Sequence, residues 1–258
     1  TVWIEEVPET YIQKLRWTPH LDTWEIGCEV FLNQEPHPDM SLHVRMTVRD
    51  QLVAEDSYRV FKSEVQRRIS LADPGIEDYR NEILWSPERP TLIQTEIELR
   101  HGGQVIDRVQ SYTALRSVGA QRNHFILHGP PYAMRLVLDQ GYWPDTFLTP
   151  PSSEDLCKDI VLAKKMGFNG ARKHQKIEDP RYLYWADTLG FLVWEEMPSC
   201  YRFTATSVER LTKEWVDIID RDYSHPCIVV WVPFNESWGV PDLAEKAAHR
   251  NCVQALYY

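Results

Sequence analysis

Near Gly119 the spacing of apolar residues changes, from every second position to short apolar runs alternating with stretches of helical period. Such a chain cannot be one uniform layer: strands must build the part before the break, and strand–helix pairs the part after it. Before it, Ser41 to Arg49 sets Leu42, Val44, Met46 and Val48 on one side and His43, Arg45, Thr47 and Arg49 on the other. Comparable stretches lie near Tyr11–Trp17, Thr23–Leu32, Tyr58–Phe61, Val65–Leu71, Leu92–Leu99 and Val105–Ala114, parted by Pro, Gly, Asp or Asn.

About seven strands with no helix between them predict an all-β immunoglobulin-like sandwich over residues 1–118. After the break the apolar runs are Ala133–Leu138, Gly170–Arg172, Phe191–Trp194 and Ile228–Val232. Helical period occupies Ser153–Met166, Pro180–Leu189, Ser207–Tyr223 and Leu243–Tyr257. Ser152-Ser153-Glu154-Asp155 and Pro180 are helix starts, and Gly167 and Gly190 are stops. Four βα units in order predict a parallel sheet, the first half of a (β/α)8 TIM barrel over residues 119–258. A closed barrel takes eight units and about 250 residues of its own. Half of one leaves sheet edges and a core face open. The expectation is therefore a piece of a longer protein, or a chain that a partner completes.

With 258 residues, 43% hydrophobic, the chain is long enough to bury a core. Lys and Arg number 28 against 38 Asp and Glu, a formal charge of −10 with no long basic block. That balance argues against a nucleic-acid or anionic-membrane footprint and favours a neutral or small substrate. No apolar run approaches the roughly 18 residues of a membrane span. The five cysteines are scattered, without a Cys-x-x-Cys pair, and read as small buried hydrophobes rather than a disulfide scaffold or metal site. No cofactor is expected. Thr1-Val2-Trp3-Ile4 carries neither an initiator Met nor a signal-peptide pattern, so the start reads as cut and the protein as cytoplasmic.

Working residues of βα domains sit where strands end at their carboxyl side. Four such tips are Leu138-Asp139-Gln140-Gly141-Tyr142-Trp143, Arg172-Lys173-His174-Gln175, Glu195-Glu196-Met197-Pro198 and Phe234-Asn235-Glu236-Ser237-Trp238-Gly239. Charged groups rimmed by Trp143, Trp194, Trp231 and Trp238 suit a sugar, whose CH faces stack on indole while its hydroxyls need hydrogen bonds. Glycoside cleavage needs an acid that protonates the leaving oxygen and a second carboxylate, about 5–5.5 Å away in a retaining enzyme. Glu236, after a nearly all-apolar strand, is placed where burial would raise its pKa toward the acid/base role; otherwise it is a salt-bridged rim carboxylate. Asn235 can donate to a sugar hydroxyl. Arg172 reads both as a pocket cation and as a neutraliser of neighbouring carboxylates. Of Glu195 and Glu196, which alternate in direction, Glu196 is favoured for the pocket. Asp139 is a candidate contact or, with Gly141 following, a turn former. Trp238 is a platform or a lid, His225-Pro226 a structural turn, and Asp187 an anchor of its own helix.

His225-Pro226-Cys227-Ile228-Val229-Val230-Trp231-Val232-Pro233-Phe234-Asn235-Glu236-Ser237 resembles the acid/base signature of glycoside hydrolase family 2, which holds β-galactosidases, β-glucuronidases and β-mannosidases. Gly167-Phe168-Asn169-Gly170-Ala171-Arg172, Tyr184-Trp185-Ala186-Asp187-Thr188-Leu189-Gly190 and Val193-Trp194-Glu195-Glu196 are similar to its second and third strand motifs. Val2-Trp3-Ile4-Glu5 is similar to the segment leaving that family's jelly roll, and Leu84-Trp85-Ser86-Pro87-Glu88-Arg89-Pro90 to its immunoglobulin-domain signature. Phe125-Ile126-Leu127-His128-Gly129 is similar to the strand entering the barrel, with His128 where Asn is usual. The resemblance implies that Glu236 is the acid/base, that Asn235 binds the hydroxyl beside the anomeric carbon, and that Arg172 and Glu196 support the pocket floor. It also implies a nucleophilic Glu on a seventh barrel strand, which this chain does not contain. The family's His three residues after the strand-two Arg is Gln175 here. His174 lies one earlier, so it is carried as a substrate contact against the offset of register.

The function these residues predict is a retaining β-glycosidase, represented by a stretch that lacks its nucleophile. Its partner is a carbohydrate, with no nucleic acid and no membrane, and a homo-oligomer of the full-length protein is compatible. The rival is a non-catalytic carbohydrate-binding or scaffolding product.

Overall fold

The computed structural model describes residues 4–71 and 80–257, the side chains of residues 80 and 81 excepted. Val2 and Trp3 of the resemblance lie outside the described residues. The chain divides into two compact units, Thr1–Pro131 and Tyr132–Tyr258.

In the first unit, β1 (Ile12–His20), β2 (Glu25–Leu32) and β5 (Glu64–Ser70) form an antiparallel sheet in the order β1-β2-β5. A second antiparallel sheet orders β4 (Gln51–Arg59), β3 (Met40–Val48), β6 (Ile93–His101) and β7 (Gln104–Thr113) as β4-β3-β6-β7. Period two decides which side chains go inward: Leu42, Val44 and Met46 of β3 are buried, with Leu99, Ile97 and Thr95 of β6 opposite them. They join Trp17, Ile26, Val30 and Ile69 of the other sheet in one core. Burying each such apolar side chain contributes about 1.5–3 kcal/mol before chain entropy is set against it. Strand β4 was marked in the sequence only near its end, at Tyr58–Phe61. It is an edge strand that fully buries Val53 alone, so its apolar alternation is faint.

A hairpin of β8 (Val118–Gln121) and β9 (His124–Leu127) follows, with no trace in the apolar pattern because all four β8 residues are exposed. Its turn residues Arg122 and Asn123 have φ of 49° and 65°, as a two-residue turn matched to strand twist requires. His128, at φ 58°, takes the left-handed backbone that Asn tolerates best. Its Nε2–H donates to the Trp85 carbonyl at 2.8 Å and its Nδ1 accepts from the Ser117 amide at 3.3 Å, while burial lowers its pKa. These bonds tie the hairpin to the first unit, which is why that unit ends at Pro131 and not at the change of period.

The second unit holds β10 (Leu136–Asp139), β11 (Gly170–Lys173), β12 (Leu192–Glu196) and β13 (Ile228–Val232), all parallel and in that order. The helices α1 (Ser153–Lys165), α2 (Pro180–Leu189), α3 (Ala205–Asp222) and α4 (Ala247–Tyr257) each follow a strand. Ser152 caps α1 by accepting from the Asp155 amide at 3.0 Å, and Asp179 caps α2, whose first residue is Pro180. Helix α3 begins two residues before the sequence expectation, because Thr204 is its cap and closes a capping box with Ser207. Helix α4 begins at Ala247, later than the expected Leu243. Asp187, on α2 and fully buried, accepts from His225 Nδ1 at 2.6 Å and from the Cys227 amide at 2.8 Å. It therefore ties α2 to the turn entering β13.

Candidate active site

Register sorts the strand-tip residues onto two faces. Leu138, Arg172, Trp194 and Val230 are neighbours across the sheet, and so are Asp139, Lys173, Glu195 and Trp231 one step further on. Successive residues of a strand point to opposite sides, so the two rows face opposite ways.

The second row meets the helices. Trp231 packs edge-on against Trp215 of α3 at 5.9 Å between ring centroids, inside a cluster with Met197, Leu211 and Leu256. Trp231, partly buried, thus packs on the helix side of the sheet instead of joining an aromatic rim around the Arg172 cluster. Lys173, 2% exposed, extends over the ring of Tyr182 on α2 and pairs with Asp139 Oδ2 at 2.5 Å and Glu178 Oε1 at 2.9 Å. The other oxygen of Asp139 accepts from the Gly141 amide at 2.7 Å, the turn-forming geometry. Gly141, at φ 65°, lies so close that a Cβ there would stand 2.4 Å from Glu178 Oε1. Glu195 is buried against Asp222, and burial first, then the charge of Asp222, pushes its carboxyl well above the usual carboxylate range. Lys173 escaped the sequence reading although strand parity was a signal for it. If Arg172 faces one side, its neighbour must face the other.

The first row and the loops beyond it gather the remaining candidates. Glu196, fully buried, receives Arg172 on Oε2, from Nε at 2.9 Å and from a terminal nitrogen at 2.7 Å. Arg172 also donates to Asn235 Oδ1 at 2.7 Å. Two strands and the loop after a third are thereby joined through one guanidinium, whose planar fork suits two acceptors at once. On its other oxygen Glu196 accepts from the Gln175 amide at 2.9 Å, with His174 Nε2 at 3.9 Å. His174 is part-exposed, and its Nδ1 contacts Gln140 Nε2 at 3.0 Å. A buried carboxylate is tolerable only with its lone pairs engaged, and Glu196 meets that condition.

Strand β13 ends at Val232, and the chain turns over residues 233–239. Asn235 is buried there, and its carbonyl accepts from the Trp238 amide at 3.2 Å. Glu236 sits at φ 53°, left-handed backbone that costs a non-glycine residue about 1–2 kcal/mol. Its side chain is exposed, so the burial expected at the end of an apolar strand is not found at this residue: the turn carries it clear of the strand. Trp238 is also exposed, at 51%. Gly239, at φ 83°, lets the turn press against Cys200, where a Cβ would stand 2.8 Å from Sγ and 2.9 Å from the carbonyl oxygen. The site as folded brings together Arg172, Glu196, Asn235 and, at longer range, His174. Asp139 is on the opposite face of the sheet, and Glu236 and Trp238 project from the turn beside Asn235.

Among the described residues no three His, Cys, Asp or Glu side chains are grouped to hold a metal ion, and no helix is long and apolar enough to cross a membrane.

The tips of the parallel sheet thus present an Arg172–Glu196–Asn235 cluster beside the exposed Glu236. The family model for "Glycosyl hydrolases family 2" matches residues 10–116. The chain is 27% identical over 251 residues to a putative β-glucuronidase of Formosa agariphila, covering 93% of this chain and 29% of that protein. It is 26% identical over 160 residues to a β-galactosidase of Thermoanaerobacter pseudethanolicus, covering 61% of this chain and 22% of that protein. In fold it is similar to the β-glucuronidase from Ruminococcus gnavus solved in complex with D-glucuronic acid. That match has a TM-score of 0.77 at 20% identity, over 96% of this chain and 41% of that one. By these matches the chain is similar to glycosyl hydrolases of family 2, through the family model over residues 10–116 and through relatives over much of its length. It spans less than a third of the length of either curated relative.

Proposed function

We propose that the full-length protein carrying this chain is a retaining β-glycosidase, with the first unit an immunoglobulin-like sandwich and the second the opening half of its (β/α)8 barrel. Glu236 protonates the glycosidic oxygen as the bond breaks and afterwards takes a proton from the attacking water. Asn235 offers its amide to the hydroxyl beside the anomeric carbon, because Arg172 occupies its side-chain oxygen and so orients the NH2 outward. Arg172 and Glu196 form the floor that keeps Asn235 in place, His174 and Trp238 line the sugar's approach, and Asp139 shapes the wall through Lys173. The nucleophilic carboxylate comes from a part of the protein beyond this chain. The observation that carries the reading is the Glu196–Arg172–Asn235 chain of bonds, which ends at the residue preceding Glu236.

The test is hydrolysis of a panel of 4-nitrophenyl β-glycosides by the full-length protein. At least one should be turned over, and Glu236→Gln should lower its kcat by about 10²–10⁴-fold. No turnover of any of them, with sugar binding intact, would favour the non-catalytic carbohydrate-binding reading.

A further inference from the structure

Gln175 touches the supports at both ends of the turn displaying Glu236. We infer that it is a positioning residue for the acid/base; the inference rests on the role proposed for Glu236. Its amide donates to Glu196 Oε1 at 2.9 Å, and through Glu196 and Arg172 this contact reaches Asn235, where the turn begins. Its side-chain oxygen accepts from the Ser199 amide at 3.1 Å. Ser199 precedes Cys200, against which Gly239 closes the far side of the same turn. Gln175 itself lies in left-handed backbone, at φ 50°, in a turn where the Lys176 amide returns to the Lys173 carbonyl and Lys176 bridges Glu196. A non-glycine residue holds that conformation only where its surroundings over-determine it. Here the bond from Ser199 does so, and a glycine would free the turn. The carboxamide thus couples the loop after β11 to the loop after β12, and the two together define where the Glu236 carboxyl stands. Misplacing a catalytic group by an ångström is enough to cost a large part of the rate.

The experiment uses the full-length enzyme and whichever 4-nitrophenyl β-glycoside it hydrolyses. Gln175→Met keeps the length and removes the acceptor; Gln175→Asn keeps the chemistry and falls short of Ser199; Gln175→Glu keeps an oxygen in place. The Met and Asn variants should lose about tenfold or more in kcat with KM changed less than about threefold. The alkaline limb of kcat/KM, which reports the acid, should move, while the melting temperature stays close to the parent's. Gln175→Glu should recover most of kcat. Parental kcat and pH profile in both the Met and Asn variants would overturn the inference, as would equal impairment of all three. Glu236→Gln, measured alongside, separates the two levels. If it is inactive while Gln175→Met is normal, only the positioning role falls; if it is fully active, the role of Glu236 falls and takes this inference with it.

Discussion

Arg172 reaches Asn235 Oδ1 at 2.7 Å while holding the buried Glu196 at 2.7 and 2.9 Å, so one side chain links strands β11 and β12 to the turn bearing Glu236. Lysine offers a point charge without the fork and cannot serve both acceptors in the same geometry. Arg172→Lys in the full-length protein should therefore lower kcat by about 100-fold, with a smaller change in melting temperature. Steady-state kinetics beside a thermal melt would check this. Equal activity in the two proteins would mean that Asn235 is placed by other contacts.

Glu195 makes the opposite use of burial. The native state keeps a proton on it that the unfolded chain gives up above about pH 4.3, so this group lowers stability as pH rises from there through neutrality. Glu195→Gln replaces the protonated carboxyl by a neutral amide that cannot titrate. Its melting temperature should match the parent's near about pH 4 and exceed it by several degrees near about pH 8. A constant offset across that range would show that packing, and not titration, is being measured.

In the first unit the sign reverses. Glu98, 4% exposed on β6, is clamped by Arg100 on one oxygen and Arg108 on the other, with contacts of 2.5–3.0 Å. Hydrogen bonds from Arg100 first, then from Arg108, hold its carboxyl below the usual range. A depressed acid contributes stability that is present above its unfolded pKa, about 4.3, and is lost as pH falls through the folded value. Glu98→Gln should lower the melting temperature by several degrees at neutral pH, and the gap should close on acidification below about pH 4.

Gly170 opens β11 between two neighbours. A Cβ on it would stand 2.5 Å from the Leu192 carbonyl oxygen and 2.6 Å from Leu136 Cδ2. Backbone cannot yield as a flexible side chain can, so Gly170→Ala should destabilise the second unit by about 2–3 kcal/mol. Denaturant unfolding read on that unit's tryptophans would measure it.

Much of this architecture was legible because apolar period tracks burial. The change of apolar period distinguishes a mainly β first unit from a strand–helix second unit, although the division falls at Pro131, after a hairpin that continues past Gly119; the four strand tips are where the charged residues collect. What escaped has physical reasons. Strand β4 is an edge with one fully buried residue, and β8 is exposed throughout, so neither leaves an apolar signature. Asp139 and Trp231 lie near the pocket residues along the chain, but proximity in sequence does not tell which face of the sheet a side chain takes. Register places both on the helix side, with Lys173 between β10 and α2. In the sequence Gln175 stands out only as a departure from a family pattern. Its contacts to Glu196 and Ser199 join residues 21 and 24 positions away, which no local spacing encodes.

The central claim is that Glu236 delivers a proton to the departing oxygen, and the most direct measurement is the dependence of rate on leaving-group basicity. In the Glu236→Gln form of the full-length protein, alkyl or simple phenyl β-glycosides should lose about 10³-fold or more, while a dinitrophenyl glycoside, whose leaving group needs no proton, should lose far less. Both losses are read in kcat/KM, which reports bond cleavage and not the later attack of water; an equal loss in kcat/KM for good and poor leaving groups, or no loss for either, would contradict the assignment.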